Sequence, residues 1–286
     1  MLTKAATLEV DQVFLDLEDA VAPSEKTDDT RRRIADALRD QPWKARTKAV
    51  RVNAVSTPWC HRDIITVVEL AGEALDCVML PKVEQPGDVE FADRLLSQLE
   101  AEIGRRDRIG LEVQIESPLG LMNVERIAAS SSRIETLIFG PGDFAASVGM
   151  PQLTVGAAAE DYAGDHWHYV LWRILIAARA NGLQAIDGPY ALIQDLDGFR
   201  AVAARSCSLG YDGKWVIHPS QISACQDIFT PSREQFLRAT KILEAYEVAT
   251  DEKRLGAVMY ENEMIDEASR KMAEQIVAQG RASGLA

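Results

Sequence analysis

Two carboxylates stand where an α/β protein does its chemistry. Leu111-Glu112-Val113-Gln114-Ile115 closes on Glu116, and Thr136-Leu137-Ile138-Phe139 runs through Gly140-Pro141-Gly142 into Asp143. Short β-branched and aromatic runs stopped by Gly and Pro read as buried strands, and Leu119 to Ser130 between them has helical spacing. The two acids therefore fall at the carboxyl ends of neighbouring parallel strands, the end at which such sheets carry their sites. As hard oxygen donors they suit Mg²⁺, which keeps other positions for water and substrate. Either acid alone reads as the cap of the following helix; the pair on consecutive strands favours a metal.

Further ionisable groups fall at the ends of other apolar runs: Glu18 and Asp19, Arg51 with Asn53, Lys82 with Glu84, Asp187, and His218. So many charges on one rim waste desolvation energy unless they hold a metal and charged ligands. A rim of ion pairs, Lys82 with Glu84 or Arg51 with Glu18, is the plain alternative, and it leaves the two acids after adjacent strands unexplained.

The elements that must position these groups are seven strand-like segments: Val13 to Leu17, Ala49 to Asn53, Cys77 to Leu80, Leu111 to Ile115, Thr136 to Phe139, Gln184 to Ile186 and Lys214 to Ile217. Helical stretches alternate with them. One opens at Pro23 with Ser24 as its cap; another, His166 to Asn181, carries Tyr169, Trp172, Leu175 and Ile176 on one face. No hairpin signal joins the strands, so the pattern is that of a (β/α)₈ TIM barrel one strand short. The absent strand is expected before Met1, leaving a gap between the first and last strands with two exposed edges. Pro151 to Asp165, rich in Gly and Ala and without period, reads as an active-site loop. Residues 1–225 form the expected barrel domain. Residues 226–286 form a helical extension in which the glycine-bearing Arg254 to Met264 leads to a terminal helix from about Asp266.

Composition narrows the function classes. The chain has 286 residues, 47% of them apolar, and a formal charge of −13. That charge argues against a nucleic-acid surface, and an anionic substrate would need a local basic pocket. No apolar run reaches membrane-spanning length and the N-terminus lacks a signal pattern, so a cytoplasmic protein is expected. Cys60, Cys77, Cys207 and Cys225 form no Cys-x-x-Cys pair and suggest neither zinc nor disulfides.

Taken in order, Leu15-Asp16-Leu17-Glu18-Asp19-Ala20-Val21, Arg51-Val52-Asn53, Met79-Leu80-Pro81-Lys82, Gln114-Ile115-Glu116-Ser117, Gly140-Pro141-Gly142-Asp143, Ile186-Asp187-Gly188-Pro189 and Lys214-Trp215-Val216-Ile217-His218-Pro219 resemble the citrate lyase β-subunit and malyl-CoA lyase family over nearly the whole chain. Asp161 to Tyr169 and Gly213-Lys214-Trp215 look closer to the malyl-CoA lyase branch. The resemblance implies a TIM barrel that uses Mg²⁺, with Mn²⁺ as a substitute, to break or make the carbon–carbon bond between an acyl-CoA and a 2-oxo acid. It implies that Glu116 and Asp143 bind the metal and that Arg51 faces the substrate carboxylate and carbonyl. Lys82, Glu18, Asp19, Gly142, Asp187, Lys214 and His218 would contribute to the substrate and CoA pocket. Gly256 to Asp266 is similar to the family's lid motif, whose aspartate, here Asp266, acts in a neighbouring subunit of a homotrimer or hexamer. Without the family, Asp266 reads as the N-cap of the last helix, and both roles can coexist. The family's usual opening, a strand ending in Arg-Ser-x-Leu-x-x-Pro-Gly, does not occur here.

Three other readings fit the same residues. The site could run as a malate or citramalate synthase-like condensing enzyme that hydrolyses its thioester. It could be a citrate lyase β-subunit acting on a carrier-protein thioester, or a non-catalytic shortened barrel. The full set Glu116, Asp143, Arg51 and Asp266 speaks against the last.

Overall fold

The structure, a computed structural model, describes residues 2–151, 153–157, 164–252 and 254–286. Part of the expected loop and Asp161 to Ala163 of the lyase-like motif lie outside the described residues. The chain divides into two compact units, 1–222 and 223–286.

The first unit holds seven parallel strands in sequential order: β1 (Gln12–Asp16), β2 (Thr47–Arg51), β3 (Cys77–Leu80), β4 (Gly110–Ile115), β5 (Ile134–Phe139), β6 (Gln184–Asp187) and β7 (Gly213–Lys214). Helices α1 (Leu2–Ala5), α2 (Asp28–Asp40), α3 (Cys60–Ala71), α4 (Pro86–Ile103), α5 (Pro118–Met122), α6 (Val124–Ala128), α7 (Pro141–Ser147), α8 (His168–Ala180) and α9 (Leu196–Leu209) flank and connect them. Register sets the two faces apart. Val50, Val78 and Leu111 align across β2 to β4 with Leu80, Val113 and Leu137 beyond, all buried, and form the core on the helix side. Burying each such side chain contributes roughly 1.5–3 kcal/mol. The alternate positions Arg51, Met79, Glu112 and Thr136 align on the other face.

That second face curls inward. Gln12 Nε2 on β1 donates to Glu112 Oε2 on β4 at 2.9 Å, although two strands separate them in the sheet. Phe14 on β1 meets Trp215, just past β7, edge to face with centroids 4.5 Å apart. Neither β1 nor β7 has a second strand neighbour among the described residues, so the expected gap is present and two aromatic rings bridge it. The last strand is shorter than the sequence suggests. Only Gly213 and Lys214 pair with β6, and Trp215 adds one backbone bond to Asp187 at 2.8 Å before turning toward Phe14.

Other differences are local. The single helix expected over Leu119 to Ser130 is split at Asn123 into α5 and α6. Ser24 lies in a 3₁₀ turn, and Thr27 is the residue that caps α2 by accepting from Thr30 N–H. In α8 the buried face is Val170, Leu171, Ile174 and Leu175, while Tyr169, Trp172 and Ile176 are exposed. Leu175 thus does not share the face of the other three.

The second unit contains α10 (Ile222–Phe229) from Ser223 onward, α11 (Arg233–Glu247), a two-stranded antiparallel hairpin, β8 (Ala257–Tyr260) with β9 (Glu263–Asp266), and α12 (Glu267–Ala282). The hairpin falls largely in the glycine-bearing segment Arg254 to Met264 of an extension expected to be helical. Phe236, Ala239, Ala273 and Val277 make a small core between α11 and α12.

Candidate active site at the carboxyl ends of the strands

The site is built from strand ends. Asp16, last in β1, and Arg51, last in β2, are register partners. Arg51 forks onto Asp16 with Nε to Oδ1 at 2.9 Å and Nη2 to Oδ2 at 2.6 Å. Two parallel N–H bonds fix the guanidinium plane as one bond could not. The Asp16 carboxylate also accepts from Glu18 N–H and Ala20 N–H; burial pushes its pKa up, but Arg51 and these donors hold it below the usual range. The guanidinium carbon lies 5.1 Å from the Trp215 ring centroid and 5.9 Å from that of Phe14, so the rings that bridge the sheet edges also pack this cation. Its remaining edge, Nη1, is 3.1 Å from Glu18 Oε2 as an ion pair without hydrogen-bond alignment.

Behind this pair Asn53 is buried. Its Nδ2 donates to Leu17 O at 2.9 Å and to Asp63 Oδ2 at 2.6 Å, and its own N–H donates to the same oxygen at 2.9 Å. Asp63, on α3, is held in turn by Arg31 of α2 at 2.6 Å. The loop after β2 is thereby tied to two helices.

Lys82 follows β3 with φ of +52°, a left-handed conformation that costs a residue with a Cβ about 1 kcal/mol or more. The turn aims its backbone N–H at Glu116 Oε1, 2.6 Å away, and its ammonium at acids. Nζ bonds to Glu18 Oε1 and lies 3.7 Å from Asp19 Oδ1 and 3.5 Å from Asp143 Oδ2. Burial alone would lower its pKa; Glu18 and Asp143 raise it above the ordinary lysine value. Of the two ion pairs raised above, Arg51 with Glu18 is present, whereas Lys82 pairs with Glu18 and Glu84 accepts from Ser117 Oγ at 2.9 Å.

Glu116 is not a helix cap. Ser117 caps α5 by accepting from Gly120 N–H at 3.1 Å, leaving the buried Glu116 carboxylate directed at the Lys82 amide. A Cβ at Gly140 would sit on the Glu116 side chain, so glycine there lets the end of β5 close over it. Burial first, then the nearby Asp143 charge, pushes the Glu116 carboxyl up to about 7. Asp143 stands in the first turn of α7, its side chain 44% exposed. One buried and one half-exposed hard oxygen donor, mutually repelling and open to further oxygens, are a donor set that fits Mg²⁺. Among the described residues no group of three His, Cys, Asp or Glu side chains is gathered for a metal, so water or substrate would complete the shell.

The other expected pocket residues are distributed unevenly. Asp187 and Lys214 form a sealed pair, with Nζ 2.7 Å from Oδ2 and 2.6 Å from Gly188 O, and side chains 3% and 2% exposed; in this arrangement they lock β6 to β7 rather than face a ligand. His218 is exposed and its Nδ1 accepts from Ser220 N–H at 3.2 Å. Gly142 lines a cavity of about 190 Å³ with Pro141, Val155 and Trp167. Asp266, in the second unit, caps α12: Ala268 N–H and Ser269 N–H donate to its Oδ1 at 3.0 and 3.1 Å.

Asp16, Asp63 and Trp215 are the residues that sequence reasoning missed as site builders. Only the register of Asp16 with Arg51 carries a signal for the first.

The chain and its curled parallel sheet match known proteins. Residues 1–219 fit the family model described as HpcH/HpaI aldolase/citrate lyase. The chain is 41% identical to an L-malyl-CoA/beta-methylmalyl-CoA lyase of Rhodobacter capsulatus over 96% of its own length and 89% of that protein. A solved citrate lyase from Burkholderia xenovorans shares the fold with a TM-score of 0.81 at 22% identity, covering 96% of this chain and 85% of that one. The protein CitE from Mycobacterium tuberculosis, solved in complex with magnesium, acetoacetate and coenzyme A, superposes with a TM-score of 0.70 at 28% identity over 95% of this chain and 90% of that one. Matched by the family model over residues 1–219 and by a relative 41% identical over 96% of its length, this protein belongs to the HpcH/HpaI aldolase/citrate lyase family.

Proposed function

We propose that this protein is a Mg²⁺-dependent CoA ester lyase that cleaves malyl-CoA, or a methylated analogue, into an acyl-CoA and glyoxylate, and runs the reverse condensation. The observation that supports this most directly is the convergence of Glu116, Asp143, Arg51 and Lys82 at adjoining strand ends. Identity of 41% with a lyase of that substrate range supports the substrate class. We read the curled sheet as seven strands of a TIM barrel and the second unit as a lid for a neighbouring subunit, in a cytoplasmic homotrimer or hexamer.

Cleavage releases the hydroxyl proton to water, turns the hydroxyl carbon into the carbonyl of the oxo acid, and leaves the electrons of the broken carbon–carbon bond on the thioester as its enolate. Glu116 and Asp143 would hold Mg²⁺, which when bound supplies Lewis acidity at the oxygen that becomes the carbonyl of the oxo acid. Arg51, oriented by its fork on Asp16, offers a fixed cation to the carboxylate and carbonyl of the oxo acid. The enolate carbon then needs a proton, and Asp266 of a neighbouring copy is our general acid in cleavage and base in condensation. Its hydrogen bonds as a helix cap all fall on Oδ1, so Oδ2 can carry the proton while the cap persists. Lys82, Glu18, Asp19 and Gly142 would face substrate or CoA.

Purified enzyme offered malyl-CoA, methylmalyl-CoA, citramalyl-CoA and 3-hydroxy-3-methylglutaryl-CoA with Mg²⁺, with products identified by mass, tests the reading. We expect acetyl-CoA or propionyl-CoA with glyoxylate. No cleavage of any of the four would overturn it, and free CoA as the main product would mark a thioester hydrolase.

A further inference from the structure

Lys82 meets the site in two ways at once, and its two halves have different freedom. The backbone half is pinned: a left-handed residue at the end of β3 whose N–H holds Glu116 Oε1 at 2.6 Å. The ammonium half is movable: the side chain is 36% exposed and shares three carboxylates, Glu18, Asp19 and Asp143. A cation placed on Glu116 and Asp143 therefore arrives beside a positive charge that already sits 3.5 Å from Asp143 Oδ2. Like charges this close oppose one another, and the opposition is relieved when an anion enters between them.

We propose that Lys82 makes metal binding at Glu116 and Asp143 depend on the oxo acid: its ammonium competes with the dication for Asp143 until the carboxylate of the substrate takes the ammonium over. This rests on the lyase reading of the same site. Such coupling is reciprocal by thermodynamic necessity, so the metal tightens the oxo acid by the factor by which the oxo acid tightens the metal. It also gives the strained backbone a reason. A left-handed lysine keeps its amide on Glu116 while the side chain changes partners, so one metal acid stays fixed as the other is handed over.

Binding of Mn²⁺, followed by electron paramagnetic resonance of the free ion with and without glyoxylate, tests the coupling without reference to turnover. For the wild type we expect glyoxylate to tighten Mn²⁺ about tenfold or more, a typical coupling. Lys82→Met should bind Mn²⁺ alone about tenfold more tightly than the wild type and lose most of the response to glyoxylate. Lys82→Gly, which accepts the positive φ and keeps the N–H, should behave the same and guards against a folding defect in the first variant. Lys82→Arg should retain the coupling. Mn²⁺ affinity unchanged or weakened in both Lys82→Met and Lys82→Gly, or an undiminished glyoxylate response in either, overturns the proposal while leaving the metal site standing. Absence of Mn²⁺ binding to the wild type, with or without glyoxylate, overturns the metal site and the proposal with it.

Discussion

Glu112, within β4, and Glu116, one residue past its end, stand four residues apart, yet they are not the same kind of acid. Both are buried, and each carboxyl is pushed up to about 7 by that burial. Glu112 looks into the sheet's inner face, where one amide, Gln12 Nε2, is its hydrogen-bond donor and Glu135 adds a like charge. Glu116 looks across the strand ends, where a fixed backbone N–H, a lysine and a second acid gather. The lysines repeat the contrast. Lys214 is sealed against Asp187, while Lys82 is partly open among three acids. Burial alone therefore does not mark a site; a charge whose neighbours leave it something further to do marks one.

That contrast breaks most sharply at Glu116. Glu116→Gln keeps the shape and removes the charge of one of the two oxygen donors we propose for Mg²⁺, and we expect cleavage of malyl-CoA to fall on the order of 10³-fold or more, since a Lewis acid is worth several kcal/mol. The wild type in excess chelator should fall equally far. Activity that survives chelation would remove the metal from the mechanism. Next in size, Asp266→Asn should lower turnover by roughly 10²–10⁴-fold, the usual range for one acid–base group, with Mn²⁺ affinity unchanged. Unaltered turnover would leave Asp266 a helix cap and nothing more.

The sealed pair should answer in stability instead. Asp187→Asn leaves the Lys214 ammonium buried beside a neutral amide, and breaking a buried pair on one side costs about 3–5 kcal/mol. Denaturant unfolding should show the loss, with Mn²⁺ affinity in the surviving folded fraction near that of the wild type. A variant as stable as the wild type, but with weakened CoA binding, would move Asp187 back into the substrate pocket that the family resemblance assigns it.

The parts of this architecture that were legible from sequence are those set by short-range pattern. Cys77 to Leu80 and Leu111 to Ile115 read as buried strands with no competing signal, and their ends lead directly to Lys82 and Glu116. β7 was overestimated because Trp215-Val216-Ile217 has strand composition, while the Trp215 ring gains more by packing on Phe14 and Arg51 than by extending the ladder. That choice is made by Phe14 and Arg51, 201 and 164 positions earlier in the chain. The fork of Asp16 on Arg51 was hidden for the same reason, because only register shows that two strand-end residues are neighbours. The left-handed turn at Lys82 was illegible in principle: glycine announces positive φ, and lysine does not. The hairpin β8–β9 escaped because its turn is made by Glu261 in the left-handed region rather than by Asn-Gly or Asp-Gly.

Glu112 gives the smallest and most discriminating effect. In the unfolded chain its carboxyl titrates near 4.5 and in the fold near 7. Between those values the native state holds a proton that the unfolded state has released. Stability therefore declines as pH rises across that window, and above it the ionised Glu112 is a constant burden. Glu112→Gln keeps an acceptor for Gln12 and cannot ionise, so it should raise the unfolding free energy by about 1–3 kcal/mol at pH 8, in the range expected for burying a poorly compensated charge. At pH 4.5 and below the gain should shrink toward zero, because there the wild-type side chain is neutral too. Equal gains at both pH values would show that packing and not charge is responsible, and no gain at pH 8 would mean that the inner face of the sheet solvates an ionised carboxylate.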